Sequence, residues 1–296
     1  MLVQLIDGTR LWFDVDGVGL MPDGDAMRQR PTLIVMHGGP GGDHNGFKPA
    51  FSAMTDTCQV LYYDHRGHGR SDRSTPDKWN LNRWADDVVE MCAVLGIEKP
   101  FVLGLSFGGF VAQRIASRHP GFASGYVFLS TAAYKDRVAV YEMFGRLGGS
   151  EAEATAREFW EAPTPEAMAA VVVKYVTICG PLYTQAPGNH FLNKRTINNN
   201  DVLTHFNHNE GPVRNLLPEL AGVREPVLVA HGELDPVTPM VGAQRIVDAL
   251  PKDLVRFERF AGSGHGVFRD EPEAFFAVLR SFINDHWGDY SNSYDL

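Results

Sequence analysis

The chain has 296 residues, enough for one large α/β domain with an insertion or for two small domains. Hydrophobic content of 44% and charged content of 21% are ordinary for a globular protein, and a net charge of −9 argues against a nucleic-acid or anionic-membrane partner. The apolar runs fall far short of a membrane span, residues 1–8 lack the basic start and cleavage site of a signal peptide, and Cys58, Cys92 and Cys179 fit neither a disulfide framework nor a zinc site. A soluble protein of the reducing cytoplasm is the simplest expectation.

Residues 2–6 and 10–15 alternate apolar and polar around Asp7-Gly8, which predicts an antiparallel hairpin. Residues 16–31, rich in Gly, Pro, Asp and Arg, read as a surface loop. Thr32-Leu33-Ile34-Val35-Met36 reads as a buried strand running into the glycine-dense loop His37-Gly38-Gly39-Pro40-Gly41-Gly42. Val60-Leu61-Tyr62-Tyr63 is the next strand, followed by Asp64-His65-Arg66-Gly67-His68-Gly69-Arg70-Ser71. Trp84, Val88, Met91 and Leu95 fall at helical spacing within 82–95, and Gly96 stands where a C-terminal cap belongs. A strand from Phe101 and a helix through Ile115 and Ala116 flank Gly104-Leu105-Ser106-Phe107-Gly108, and Tyr126-Val127-Phe128-Leu129 is a further strand.

The alternation then stops. Ser150-Glu151-Ala152-Glu153 is a capping box, Thr164-Pro165 opens another helix, and no strand pattern intervenes before about residue 220. Strands at 226–230 and 255–260 then alternate with helices at 240–250 and 272–283. The expected architecture is α/β: a mostly parallel sheet with helices on both faces and an inserted helical cap. The expected divisions are core residues 1–131, cap 132–220, core 221–287 and a polar tail 288–296. In such a sheet, active residues belong just past the carboxyl ends of strands.

The G-x-S-x-G pattern between a strand and a helix reads as a nucleophile elbow, which lifts the Ser106 hydroxyl to the top of the sheet. Its flanking glycines are expected because side chains there would collide with strand and helix. A serine needs a base, and the base needs an orienting acid. Asp235, in His231-Gly232-Glu233-Leu234-Asp235-Pro236, is the candidate acid, with Glu233 and Asp248 as rivals. His265, in Gly262-Ser263-Gly264-His265-Gly266 after the last strand, is the candidate base. The backbone of Phe107 and a donor from the Gly38-Gly39-Pro40-Gly41 loop would form the oxyanion site. No cluster has metal-ligand spacing, so no metal or other cofactor is expected.

Together the His37–Gly42, Asp64–Ser71 and Gly104–Gly109 segments and the surroundings of Asp235 and His265 resemble the α/β-hydrolase superfamily. The H-G-G-P-G start is similar to the proline iminopeptidase group of serine peptidases. The resemblance covers roughly residues 31–130 and 222–285. It implies Ser106, Asp235 and His265 as catalytic triad, Gly39 and Phe107 as oxyanion donors, and structural roles for His37 and the Asp64–Arg66 turn.

Two departures stand out. Phe107 replaces the Trp or Tyr usual after the nucleophile. Pro236 stands where some relatives carry a glutamate that holds a peptide's free amine. Asp201 and Glu210 are the acids between Ala167 and Pro218, and Glu210 is the candidate to hold that amine, with a solvated loop glutamate as the bland alternative. Phe144, Trp160, Tyr175, Tyr183 and Phe191 supply apolar surface in the cap, mostly to its own core. The leading expectation is a serine hydrolase acting on small amides or short peptides. The alternatives are an esterase or lactonase with the same triad, and a weakly catalytic ligand sensor. The expected partner is a small molecule or short peptide; nothing in the sequence selects between a monomer and a homo-oligomer.

Overall fold

The chain enters its sheet along an antiparallel edge. In the computed structural model, which describes residues 1–187 and 194–288, β1 (Leu2–Gln4) pairs with β2 (Arg10–Asp16) in the register Val3 with Leu11. A short exposed hairpin follows, β3 (Leu20–Asp23) and β4 (Ala26–Gln29), turning at Gly24. It corrects the expectation of a plain loop over 16–31. Its outward-facing residues bury nothing, so no hydrophobic alternation marks it in the sequence.

Next come β5 (Thr32–Met36), β6 (Gln59–Tyr63), β7 (Phe101–Leu105), β8 (Gly125–Leu129), β9 (Val227–Gly232) and β10 (Val255–Phe260). The eight-stranded sheet has the order β1-β2-β6-β5-β7-β8-β9-β10. From β6 to β10 every pairing is parallel. Because β5 lies between β6 and β7, the chain reverses its direction of winding there. The loops leaving β5 and β7 therefore meet at the switch point where such sheets bind ligands.

Side-chain alternation builds the layers. Ile34 and Met36 face the side covered by α1 (Leu81–Leu95) and α2 (Phe107–Arg118), where Trp84, Val88, Met91, Val111 and Ile115 join them. Leu33 and Val35 face the opposite side, with Phe275, Phe276, Leu279 and Phe282 of the terminal helix, Pro272–His286. All are buried, as a parallel sheet covered on both faces requires. Asn80 caps α1 by accepting from Arg83 N (2.9 Å), and Gly96 ends it at φ 65°.

Between β8 and β9 lies a helical insert: α3 (Arg137–Trp160), α4 (Pro165–Ile178), α5 (Asn200–His208), α6 (Glu210–Val213) and α7 (Leu217–Leu220). The capping box does begin a helix, but a further helical stretch from Arg137 precedes it, and Gly149 (φ 75°, ψ −175°) breaks α3 between the two. The insert has its own core, in which Phe159 stacks on Tyr175 at 4.1 Å beside Phe144. Phe191 and the tail from residue 289 lie outside the described residues. After β9 come α8 (Met240–Ala249), α9 (Val267–Asp270) and α10 (Pro272–His286). Cys58, Cys92 and Cys179 are buried free thiols. Among the described residues no helix is long and apolar enough to cross a membrane.

Beneath the start of α2, three buried imidazoles cluster, two of them against Phe107. His68 stacks on its ring at 5.6 Å, His65 meets it edge-on at 5.4 Å, and the His37 ring lies 4.5 Å from that of His65. The neighbouring turn is tied down by ions. Arg66 makes two hydrogen bonds to Asp87, at 2.8 and 2.7 Å, and Asp64 accepts from His44 Nδ1 at 2.7 Å and from Arg70 N at 2.8 Å.

Burial pushes the pKa of all three imidazoles down, His68 to about 3. An unfolded histidine takes up its proton near pH 6.5, while these stay neutral in the fold until far lower pH. The unfolded chain therefore binds more protons below pH 6.5, and stability is lost as the pH falls. For His68 alone the loss between pH 7.5 and 5 is about 2 kcal/mol. Urea midpoints should accordingly drop from pH 7.5 to 5, and His68→Gln should flatten that slope. A midpoint that stays constant across the range would mean that the rings are protonated in the native state.

Candidate active site

Ser106 occupies the junction of β7 and α2 with φ 54° and ψ −111°, a backbone conformation few non-glycine residues adopt. Hydrogen bonds from both sides hold it there. Ser106 N donates to Leu129 O (3.0 Å), and its carbonyl accepts from Gly109 N (2.9 Å) and from Thr131 Oγ1 (2.8 Å). The glycines are required by space. A Cβ on Gly104 would fall 2.2 Å from Gly108 O, one on Gly108 2.3 Å from Met36 O, and one on Gly109 2.5 Å from Thr131. The expected collision with strand and helix is thus what the packing contains.

Asp235, in the loop after β9, is fully buried. Its Oδ1 accepts from Val237 N (2.8 Å) and Thr238 N (2.9 Å), and its Oδ2 from Thr238 Oγ1 (2.8 Å) and His265 Nδ1 (2.8 Å). Burial works against the carboxylate. The charge and hydrogen bond of His265, the nearby His231 and the Thr238 backbone outweigh it, holding the pKa below the usual range. An ionised carboxylate only accepts, so Nδ1 of His265 carries the proton and Nε2 is left as the acceptor. The rivals are elsewhere: Glu233 pairs with Arg259 at 2.9 Å, and Asp248 lies exposed within α8.

The insert holds the histidine loop. His265 N donates to Tyr183 O (2.6 Å), the two rings meet edge-on at 5.7 Å, and a Cβ on Gly264 would fall 2.5 Å from that carbonyl. Among the described residues no hydrogen bond yet joins Ser106 Oγ to His265. Such pairs are commonly long in unliganded sites and close on the substrate.

Ser106 opens into a cavity walled by Gly39, Phe110, Lys135, Trp160, Arg214 and Thr238, among others. Gly39 (φ 128°) brings bare backbone into it, and Phe107 begins α2, so its N–H has no carbonyl a turn earlier to bond. A wider depression along α3 and α4, with Glu153, Arg157, Glu158 and Glu161 on its wall, carries no comparable set of groups. Trp160 reaches the cavity, whereas Phe144 and Tyr175 belong to the insert's core. Among the described residues no group of three or more His, Cys, Asp or Glu is placed to hold a metal ion.

Glu210 is placed otherwise than expected. It begins α6, is absent from the cavity wall, and its Oε2 accepts from Leu81 N (2.8 Å) at the N-terminus of α1. Burial pushes its pKa up, against that hydrogen bond. A carboxylate so engaged satisfies an unpaired helix-end donor and complements the helix dipole. Pairing across 129 residues leaves no local trace in the sequence. The sequence reading also lacks Thr238, Lys135 and Arg214, and it gives Tyr183 no part in holding the base. Lys135 follows the end of β8, where the rule that placed the other candidates would also look, while Arg214 follows no strand. Glu210→Gln should lower stability by about 0.3–1 kcal/mol, the contribution of a charge at a helix N-terminus. The ratio of rates on a proline anilide and a neutral ester should stay constant; a tenfold change in that ratio would return Glu210 to the binding site.

The family described as alpha/beta hydrolase fold matches residues 31–272. A proline iminopeptidase of Clostridium botulinum is 27% identical over 294 residues, covering 88% of this chain and 92% of that protein. A putative carbamate hydrolase of Caulobacter vibrioides is 26% identical, covering 91% and 96%. The crystal structure of a proline iminopeptidase from Mycobacterium smegmatis superposes with a TM-score of 0.74 at 26% identity, covering 97% of this chain and 98% of that one. With an eight-stranded sheet, a helical insert after β8 and a match over most of its length, this chain belongs to the α/β-hydrolase fold family.

Proposed function

We propose that the chain is a serine hydrolase that works through an acyl-enzyme. Ser106 is the nucleophile, His265 the general base and then acid, and Asp235 the group that fixes the tautomer of His265. The observation that carries this reading is the hydrogen bond of 2.8 Å between His265 and the buried Asp235, set in loops past the carboxyl ends of β9 and β10, with Ser106 on its constrained turn past β7. In the reaction, Ser106 Oγ adds to the substrate carbonyl as its proton passes to His265 Nε2. The negative oxygen that forms lies against the N–H groups of Phe107 and Gly39, donors that typically contribute roughly 3–4 kcal/mol each to the transition state. Collapse expels the alcohol or amine, which takes the proton from Nε2. Water, deprotonated by the same nitrogen, then cleaves the acyl-enzyme.

The substrate reading follows from the wall of the cavity. An exopeptidase acting on a free N-terminus must hold an ammonium group. Among the described residues the acid on this wall is Asp136, whose Oδ2 already accepts from Arg245 Nη1 (2.7 Å) and whose Oδ1 caps α3 through Ala139 N (3.2 Å). That supports small esters or lactones over peptides. The names of the proline iminopeptidases that align over most of the chain support the amide reading, which stands second.

Ser106→Ala should leave the fold intact and lower turnover at least about a thousandfold. A fluorophosphonate probe should label Ser106 alone. Labelling at another residue, or near-normal turnover in the variant, would sink the assignment. Parallel rates on proline and alanine anilides and on short acyl esters rank the two substrate classes, and a burst without sustained turnover would identify a sensor instead.

A further inference from the structure

The fold shows in one place how it satisfies an arginine that it buries for itself. Arg66, 1% exposed, has two hydrogen bonds to Asp87, an ion pair to Asp7 at 2.8 Å and a hydrogen bond to Thr9 at 2.5 Å. Arg214 is nearly as buried, at 7% exposed, and has none of this. Its guanidinium lies over the ring of Phe110, 3.5 Å from the centroid, and its Nε is buried without a hydrogen-bond partner. Among the described residues it forms no ion pair. The carboxylate whose charge acts on it, Glu210, is bonded to Leu81 N instead. Arg214 is also on the wall of the Ser106 cavity.

Lys135 stands on the same wall, partly buried. Its Nζ lies 3.4 Å from the centroid of Trp160, and among the described residues it too has no ion pair. The remaining charged wall residue, Asp136, is neutralised by Arg245. Burial lowers the pKa of both cations, Arg214 to about 9 and Lys135 well below its ordinary value, the latter helped by the charges of Arg137 and Arg214. Aromatic faces stabilise a cation without giving it a counter-charge. What the cavity lacks is an anion, and the planar fork of a guanidinium matches a carboxylate through two parallel hydrogen bonds.

We propose that Arg214, assisted by Lys135, binds a carboxylate of the substrate, so that the chain hydrolyses small esters or amides bearing a free carboxylate away from the scissile carbonyl. This rests on the serine-hydrolase reading for its chemistry and on the cavity wall for its specificity. The bond cleaved is the acyl bond at Ser106; the distal carboxylate is bound and takes no part in the proton transfers.

The test compares monoethyl succinate, glutarate and adipate with ethyl butyrate, valerate and hexanoate, in which a methyl group replaces the carboxylate. Wild-type protein should favour at least one anionic ester over its neutral counterpart by about ten- to a hundredfold in kcat/KM, the scale of a charge-assisted hydrogen bond. Arg214→Met should collapse that ratio toward one, chiefly through KM, Arg214→Lys should restore part of it, and Lys135→Met should reduce it less. Thermal melts accompany each variant; if Arg214→Met does not fold, the lysine variants carry the comparison. Calorimetry of monoethyl glutarate with Ser106→Ala supplies a readout independent of turnover. Binding that is lost on adding Arg214→Met supports the subsite even if the fluorophosphonate fails to label Ser106, in which case the hydrolase reading alone falls. Labelled Ser106 with equal or inverted preference in wild type, or no binding by Ser106→Ala, overturns the proposal and leaves the hydrolase reading standing.

Discussion

The backbone of Ser106 is the constraint on which the rest of this molecule depends. A residue other than glycine at φ 54° and ψ −111° is held off its preferred conformations, at a cost of order 1–3 kcal/mol. It persists because neighbours on every side leave no alternative. Leu129 of β8 and Thr131 just beyond it fix the peptide groups, and Gly104, Gly108 and Gly109 let β7, the β5 loop and the β8 loop approach to distances that a single methyl group would forbid. Strand order serves the same end. With β5 and β8 flanking β7, both the Gly38–Gly41 loop and the clamp on the elbow come from the immediate neighbours of the strand that carries Ser106. The buried imidazoles under Phe107 then form a floor of polarisable, uncharged rings.

The remaining groups of the site reach it through the insert as much as through the sheet. The loop of His265 hangs from the carbonyl of Tyr183, and the cavity wall takes Trp160 from α3 and Arg214 from the turn after α6. Position of His265 and shape of the pocket are therefore coupled: a shift of the Gly180–Tyr183 turn moves His265 N with it. A fold built this way can change what its pocket accepts by altering insert helices while the sheet keeps its geometry, because the pocket wall and the Ser106 turn belong to different layers that meet at a few hydrogen bonds.

What is legible in the sequence follows from range of interaction. Ser106, Asp235 and His265 each sit just past the end of an apolar strand, Ser106 and His265 in glycine-flanked turns as well, and local patterns are visible in one dimension. Inward phenylalanines of α10 and the Gly96 cap of α1 are legible for the same reason. Glu210 is misplaced by elimination among acids because that procedure ignores backbone donors, and its partner is the N–H of Leu81 in a distant helix. The hairpin over 20–29 escapes because strands exposed on both faces carry no alternation. The start of α3 escapes because Gly145, Gly148 and Gly149 weaken its helical signal, whereas in the fold the first two stay helical and the break falls at Gly149, between two helical stretches. Arg214 is invisible because an arginine shows its importance only through missing partners, which is a property of packing.

Those missing partners also decide how a charged ligand would reach the site. The chain carries a net charge of −9, so at long range it repels an anion. Salt screens that repulsion beyond roughly 8 Å at physiological ionic strength, while Arg214 and Lys135 act at short range within a wall that includes Phe110, Trp160 and Phe206. Attraction is thus confined to the pocket. Capture of an anion there slows its escape more than it speeds its arrival, since steering needs a field that extends into solvent. The aromatic rings have a second effect. They hold both side chains in place without supplying a counter-charge, so little side-chain freedom is lost when a carboxylate arrives and meets donors already oriented.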